Sequence, residues 1–220
     1  MIKVLDVHKR YLTDHGKGPW VLSGVNLEFP RNVSVGLVGG NGAGKSTLLR
    51  IIGGSDTADR GSIERHCKVS WPMSNGGLQR SLSGRQNAKF LCRIMGFEDD
   101  LKERVEFIRG FAEIGDSFEE PVKTYSSGMR SRLEFAMSIA FEFDVYISDE
   151  VTSAGDASFR KKAKNAFKGM IGRSSVIMVS HNDSTLKQFC QAGVWLHQGQ
   201  AYWFDSINDA LKEYKESLNS

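Results

Sequence analysis

Apolar and polar residues alternate with a period of two along Ile2–Val7 and Val21–Phe29, and β-branched side chains are common in both, which predicts two strands. The polar, Gly-containing stretch Thr13–Pro19 between them reads as a turn. Val33–Val38 is a short apolar run that enters a glycine cluster, and Lys45–Ile52 then reads as a helix. From about Leu78 to Phe118 the period changes. Asn87–Met95 and Leu101–Phe111 set an apolar stripe against a charged face, as helices do. Further on, the pattern predicts a helix at Ser127–Phe141, a strand at Val145–Ser148, a helix at Ala157–Met170, a strand at Ser175–Val179 and a helix at Ser184–Cys190. Short strands at Val194–His197 and Ala201–Phe204 flank a Gln-Gly turn, and an amphipathic helix covers Ile207–Leu218. Strands that alternate with helices imply βαβ units and a largely parallel sheet, hence an α/β fold with an all-helical lobe inserted in it.

At 220 residues the chain has room for one good-sized domain with such a lobe. Apolar residues at 40% and charged residues at 25% are ordinary globular usage, which excludes a disordered or fibrous chain. The 29 Lys and Arg against 26 Asp and Glu leave +3, too small a surplus to argue for nucleic acid. No apolar run nears the roughly 18 residues of a transmembrane helix. The first residues scatter charges through MIKVLDVHKR and offer no apolar h-region, unlike a secretory signal. Cys67, Cys92 and Cys190 are odd in number and far apart, which fits reduced thiols rather than a disulfide framework or a metal site.

The chemistry enters with Gly39-Gly40-Asn41-Gly42-Ala43-Gly44-Lys45-Ser46, which matches the P-loop pattern G-x-x-x-x-G-K-S/T. A β-branched strand precedes it and a Leu-rich helix follows. Glycines let the backbone curl so that successive N–H groups meet phosphate oxygens at the positive end of the helix. Lys45 can reach the β- and γ-phosphates, Ser46 can place its hydroxyl on Mg²⁺, and Thr47 can support the α-phosphate. Val145–Glu150 is a strand that ends in two carboxylates. Asp149 there can hold Mg²⁺ through water, and Glu150 is placed to polarise an attacking water. No N-K-x-D motif occurs, which argues against a GTPase.

Tyr125-Ser126-Ser127-Gly128-Met129-Arg130 resembles the signature motif of ATP-binding cassette (ABC) ATPases. The resemblance covers the chain from Met1 to Leu218. It implies a single domain, an ABC nucleotide-binding domain of the P-loop NTPase class, with a RecA-like core, an antiparallel β subdomain and an α-helical subdomain inserted at about 78–125. It implies ATP and Mg²⁺ as ligands and a head-to-tail homodimer, in which Ser126, Ser127 and Gly128 cap the γ-phosphate held by the other copy. By the same resemblance Gln79 is the Q-loop glutamine that senses Mg²⁺ and the lytic water. Asp156 is the D-loop aspartate, His181 the switch histidine at the γ-phosphate, and Tyr11 the aromatic that stacks on adenine, with His8 and Trp20 as neighbouring substitutes. Ser127 and Met129 stand where many relatives have Gly and Gln, Gly155 where Leu is common, and Ser148 puts a hydroxyl in a normally apolar strand.

Residues 69–72, 76–87, 123–132 and 149–152 further resemble the ATP-binding subunits of capsular polysaccharide exporters. That resemblance implies an ATPase peripheral on the cytoplasmic face of the inner membrane. It would dock on two copies of an ABC-2-type, six-helix integral membrane permease that makes most of the contacts with the polysaccharide. O-antigen and teichoic acid exporters share the texture. The end of the chain at Ser220, without a carbohydrate-binding domain, favours the capsule type. Leu78, Leu82 and a Trp71-Pro72 turn are candidates for the permease-facing surface, with buried core as the alternative. A soluble ABC ATPase of another kind and a non-hydrolysing, ATP-dependent interaction module are the remaining readings.

Overall fold

In the computed structural model, which describes residues 1–14, 16–72, 77–149, 156–171 and 173–218, the N-terminal alternation folds as one long hairpin. β1 (Ile2–Thr13) pairs antiparallel with β2 (Gly16–Phe29), from Ile2 opposite Phe29 to Thr13 opposite Gly16. The expected turn at Thr13–Pro19 is therefore mostly strand. Its polar residues find cross-strand partners that a local pattern does not reveal. Lys17 lies opposite Leu12, Thr13 Oγ1 donates to the Gly16 carbonyl at 3.0 Å, and next to the stretch Arg10 pairs with Trp20, its guanidinium 4.3 Å from the indole centroid. A bulge at Asp6, where φ is 47°, shifts the phase of β1. Ile2 and Val4 are buried before it, Val7 and Lys9 after it.

Two strands were not legible in the pattern. β4 (Arg60–Arg65) pairs with the other side of β1, giving the order β2-β1-β4, but exposes every residue except the half-buried Ile63. β5 (Val69–Pro72) is an edge strand parallel to the later Val145–Asp149 strand, so Trp71-Pro72 is not a turn. Pro72 is tolerated because it ends an edge strand. Trp71 packs edge to face on Phe143 at 5.4 Å.

The second sheet has the order β5-β6-β7-β3-β8-β9, with β3 (Val35–Val38), β6 (Val145–Asp149), β7 (Ser175–Val179), β8 (Ala192–His197) and β9 (Gln200–Phe204). β9 is antiparallel to β8 and the other pairs are parallel. Every residue of β3 and β7 is buried, as a sheet covered on both faces requires. On one face lies α1 (Lys45–Ile52), whose Leu48, Leu49, Ile51 and Ile52 share a core with Val4 and Leu22 of the three-stranded sheet and Val35, Leu37, Ile147 and Ile177 of the six-stranded one. A helix between two sheets is apolar nearly all round, hence the run Leu-Leu-Arg-Ile-Ile. Gly36, between Val35 and Leu37, faces the other way. There α6 (Asp183–Phe189) and α7 (Ile207–Ser217) cover the sheet. A Cβ at Gly36 would lie 2.6 Å from Ile207 Cδ1, and one at Gly193 would lie 2.4 Å from Ala210 Cβ, so α7 rests directly on the strand backbones.

The chain forms two compact units: Met1–Pro72 with Phe143–Glu150 and Ile171–Ser220, and Met73–Glu142 with Val151–Met170. The second is helical, with α2 (Gly84–Ile94), α3 (Leu101–Ala112), α4 (Ser127–Ile139) and α5 (Ala157–Ile171). Its centre is a trio of rings, Phe111, Phe135 and Phe159, with centroids 5.9–6.2 Å apart, which ties α3, α4 and α5 together. Ser148 in β6 is fully buried, and its Oγ has no hydrogen-bond partner among the described residues. The cysteines are free, and burial pushes the Cys190 thiol up to about 12.

Candidate nucleotide-binding site

β3 ends at Val38, and the loop that follows is shaped at two points by glycines that leave no room for a side chain. Gly44 is the N-cap of α1 in a left-handed conformation, φ 99°, and a Cβ there would lie 2.8 Å from Leu22 Cδ2 and 3.0 Å from the Val21 carbonyl. At Gly39 a Cβ would sit 2.4 Å from the Leu196 carbonyl oxygen. The N-terminus of α1 has no side-chain cap, whereas α2 carries a Ser83–Gln86 capping box and α4 is capped by Ser126. Backbone N–H groups of the first turn of α1 are thereby left for an anion.

Lys45 Nζ donates to the Gly39 and Gly40 carbonyls at 2.8 and 2.7 Å. Burial lowers its pKa, and the nearby Asp149 opposes the shift. Lys45, Ser46, Thr47, Asn41, Gly42, Ala43 and Gly44 line a cavity of about 350 Å³ together with Tyr11, Asp149 and His181. Sequence positions 11, 41–47, 149 and 181 thus converge on one pocket of the first unit. Glu150 lies outside the described residues. Of the three aromatic candidates for the base, Tyr11 lines the cavity. His8 and Trp20 pack on each other instead, edge to face at 5.4 Å.

The helical unit gathers a second set. Ser126 Oγ accepts from the Met129 N–H at 3.2 Å, opening α4. Ser126, Ser127, Gly128, Met129, Ser131, Arg132 and Asp156 line an open cleft of about 470 Å³. Asp156 caps α5 by accepting from the Phe159 N–H at 2.9 Å, and its other oxygen pairs with Arg132 at 2.6 Å. The Phe159 N–H and then Arg132 hold its carboxyl below the ordinary range. Gln79 is exposed, but its backbone is clamped on both sides by the buried Asn87, which accepts from the Gln79 N–H at 2.8 Å and donates to its carbonyl at 3.1 Å. Leu78 and Leu82 nearby are half-buried.

Glu134, on α4, is one residue the motifs do not explain. Burial pushes its carboxyl up to about 7, against the pull of Arg130 one turn earlier. Because the folded-state pKa is raised, the fold favours the protonated acid. Stability is lost as pH climbs from the unfolded value near 4.5 through 7. A Glu134→Gln variant is therefore expected to be more stable than the parent at pH 8, on the order of 1–2 kcal/mol once screening by the water that still reaches the group is allowed for. Denaturant melts should show the gap closing by pH 5. An equal gap at both pH values would refute this.

Lys9, Arg50 and Asp56 belong to no motif, yet Asp56 and Arg50 bond the Tyr11 hydroxyl and Lys9 bonds Asp56. The one sequence signal is a lysine in what becomes the buried phase of β1.

Comparison with known proteins agrees with this geometry. The family profile described as ABC transporter matches residues 22–153, more than half of the chain. The polysialic acid transport ATP-binding protein KpsT of Escherichia coli is 46% identical over 220 residues, covering 99% of this chain and 100% of that protein. The capsule polysaccharide export ATP-binding protein CtrD of Neisseria meningitidis serogroup B is 42% identical over 99% of this chain and 100% of its own length. Among solved structures, a dimeric, post-hydrolysis ATP-binding cassette bound to ADP and Pi superposes with a TM-score of 0.77 at 20% identity, covering 94% of this chain and 99% of the other. With the glycine loop, its lysine and the strand-end aspartate around one cavity, and with full-length relatives of this kind, the chain belongs to the ABC transporter family.

Proposed function

We propose that this chain is the ATP-hydrolysing subunit of an exporter that moves a capsule polysaccharide, working peripherally on the cytoplasmic face of the inner membrane beneath an integral membrane permease. The observation that carries the cargo class is the end-to-end similarity to ATP-binding proteins named for polysialic acid transport and capsule polysaccharide export. No described helix is long and apolar enough to cross a membrane, so the pathway for the glycan belongs to the partner.

Two copies of the chain would enclose two ATP molecules. In each, the N–H groups of the glycine loop and the Lys45 ammonium hold the β- and γ-phosphates, the ammonium exchanging the Gly39 and Gly40 carbonyls for phosphate oxygens. The Ser46 hydroxyl and Asp149 carboxylate are hard oxygen donors on one cavity, a set suited to Mg²⁺, which when bound neutralises charge on the β- and γ-oxygens. Glu150 orients a water in line with the γ-phosphorus. The water oxygen bonds to phosphorus, the bond to the bridging oxygen breaks with its electrons going to ADP, and the water proton leaves toward Glu150. His181 and Lys45 stabilise the charge on the transferring group. Ser126, Ser127 and Gly128 of the second copy close the site, with Asp156 across the dimer and Gln79 toward the permease.

The test is co-expression with a His-tagged six-helix permease, mild solubilisation and a phosphate-release assay. Co-elution with Mg²⁺-dependent hydrolysis that the permease stimulates is the expected result. A chain that elutes alone and hydrolyses at a rate indifferent to the permease would overturn the exporter reading.

A further inference from the structure

After α1 the chain turns back on itself. The N–H groups of Ser55 and Asp56 both donate to the Arg50 carbonyl, at 2.9 and 3.2 Å, which closes the helix and brings the Asp56 carboxylate toward β1. There Asp56 divides its two oxygens. Oδ1 accepts from Lys9 Nζ at 2.8 Å and from the Thr57 N–H at 2.7 Å, while Lys9 also donates to the Thr57 carbonyl at 2.7 Å. Oδ2 accepts from the Tyr11 hydroxyl at 2.9 Å. The hydroxyl has one proton. The closer, charged carboxylate takes it, and Tyr11 Oη is left to accept from Arg50 Nη2 at 2.9 Å. Thr47 Oγ1 stands 3.3 Å from both Tyr11 Oη and Arg50 Nη2, which ties the cluster to the phosphate loop.

Charge and burial make the arrangement rigid. The side chains of Lys9 and Asp56 are only 10% and 19% exposed, and the Lys9 ammonium lies 5.1 Å from the centroid of the Tyr11 ring. The phenol end of Tyr11 is gripped by one charged acceptor and one charged donor, while the residue, 39% exposed, lines the cavity that holds Lys45 and Asp149. A ring fixed before the ligand arrives costs no ordering when it binds.

We propose that Asp56, with Arg50 and Lys9, is a positioning residue that locks the Tyr11 ring in place as the wall on which the base of ATP rests. The inference rests on the reading of the glycine-loop cavity as an ATP site. Asp56 acts through Tyr11 and touches no reacting atom. Its signature is a loss confined to ligands that carry a base.

Two near-isosteric variants of the full chain test it: Tyr11→Phe, which removes only the hydroxyl, and Asp56→Asn, which removes the charge. Binding of ATP and of inorganic triphosphate, both with Mg²⁺, is measured by calorimetry, and kcat and KM by phosphate release. Each variant is expected to weaken ATP binding and raise KM about 3–10-fold, the range of one charge-assisted hydrogen bond discounted for residual order, while kcat and triphosphate affinity move less than twofold. The double variant should be no worse than Tyr11→Phe alone, because loss of the hydroxyl already breaks the bond to Asp56. Unaltered ATP affinity in Tyr11→Phe, equal losses for ATP and triphosphate, or additive losses in the double would each overturn the proposal. If the parent chain bound neither ligand, the ATP-site reading itself would fall, a result distinct from any of these.

Discussion

Changing Lys45 to alanine is expected to remove ATP hydrolysis to below about a hundredth of the parent rate and to weaken ATP binding at least tenfold, with little change in melting temperature. In the proposed site the ammonium is the cation of the loop that reaches the β- and γ-phosphates, and removing one donor aimed at developing charge typically costs 10²–10³-fold. Its present partners are two carbonyls, and the Gly40 carbonyl keeps the Ala43 N–H at 3.2 Å when the lysine is gone. The loop conformation is set by Gly39 and Gly44 rather than by the side chain, so the fold should persist. Lys45→Met, which keeps the stem, should behave the same way. A variant that hydrolyses ATP normally would remove Lys45 from the site.

The second large effect concerns Glu150. Glu150→Gln is expected to lower turnover by about 10²–10⁴-fold, the span of a lost general base, while ATP affinity stays within about threefold. Its neighbour Asp149 closes β6 opposite Val179 of β7 and lines the cavity, and Glu150 is the next residue in the sequence. An amide is the size of the carboxylate and still binds water, but it takes no proton. With hydrolysis stalled and binding intact, ATP should trap a dimer that light scattering detects and that the parent chain forms only transiently. Unchanged turnover would reassign the base.

What the sequence reveals and what it hides divide along a physical line. The glycine loop is legible because its demands are on the backbone, and such demands are met by residue type: Gly44 must be left-handed, and Gly39 must clear Leu196. α1 is legible because a helix buried between two sheets must be apolar on nearly every side. β4 is not, because its pairing with β1 needs no apolar side chain. The N-terminal hairpin extends through residues that look like a turn because Lys17 pairs with Leu12 and Gly16 with Thr13 across it. The Asp56–Tyr11 bond joins positions 45 apart in the chain, and the Arg132–Asp156 pair joins positions 24 apart. Charged residues at such separations carry no local mark of being partners. Glu134 is hidden for the same reason, since only packing shows that a glutamate is short of water there.

The two carbonyls that hold Lys45 compete with any anion for its ammonium. An incoming anion gains only the difference between its oxygens and those of Gly39 and Gly40. A small, singly anchored ion such as sulfate gains almost nothing from that exchange. A polyphosphate, which meets the loop N–H groups along its length at the same time, gains on every one of them. At the proposed site a polyphosphate is therefore expected to outbind a simple anion. Under the proposed hydrolysis the same two carbonyls would take the ammonium back as the terminal phosphate leaves.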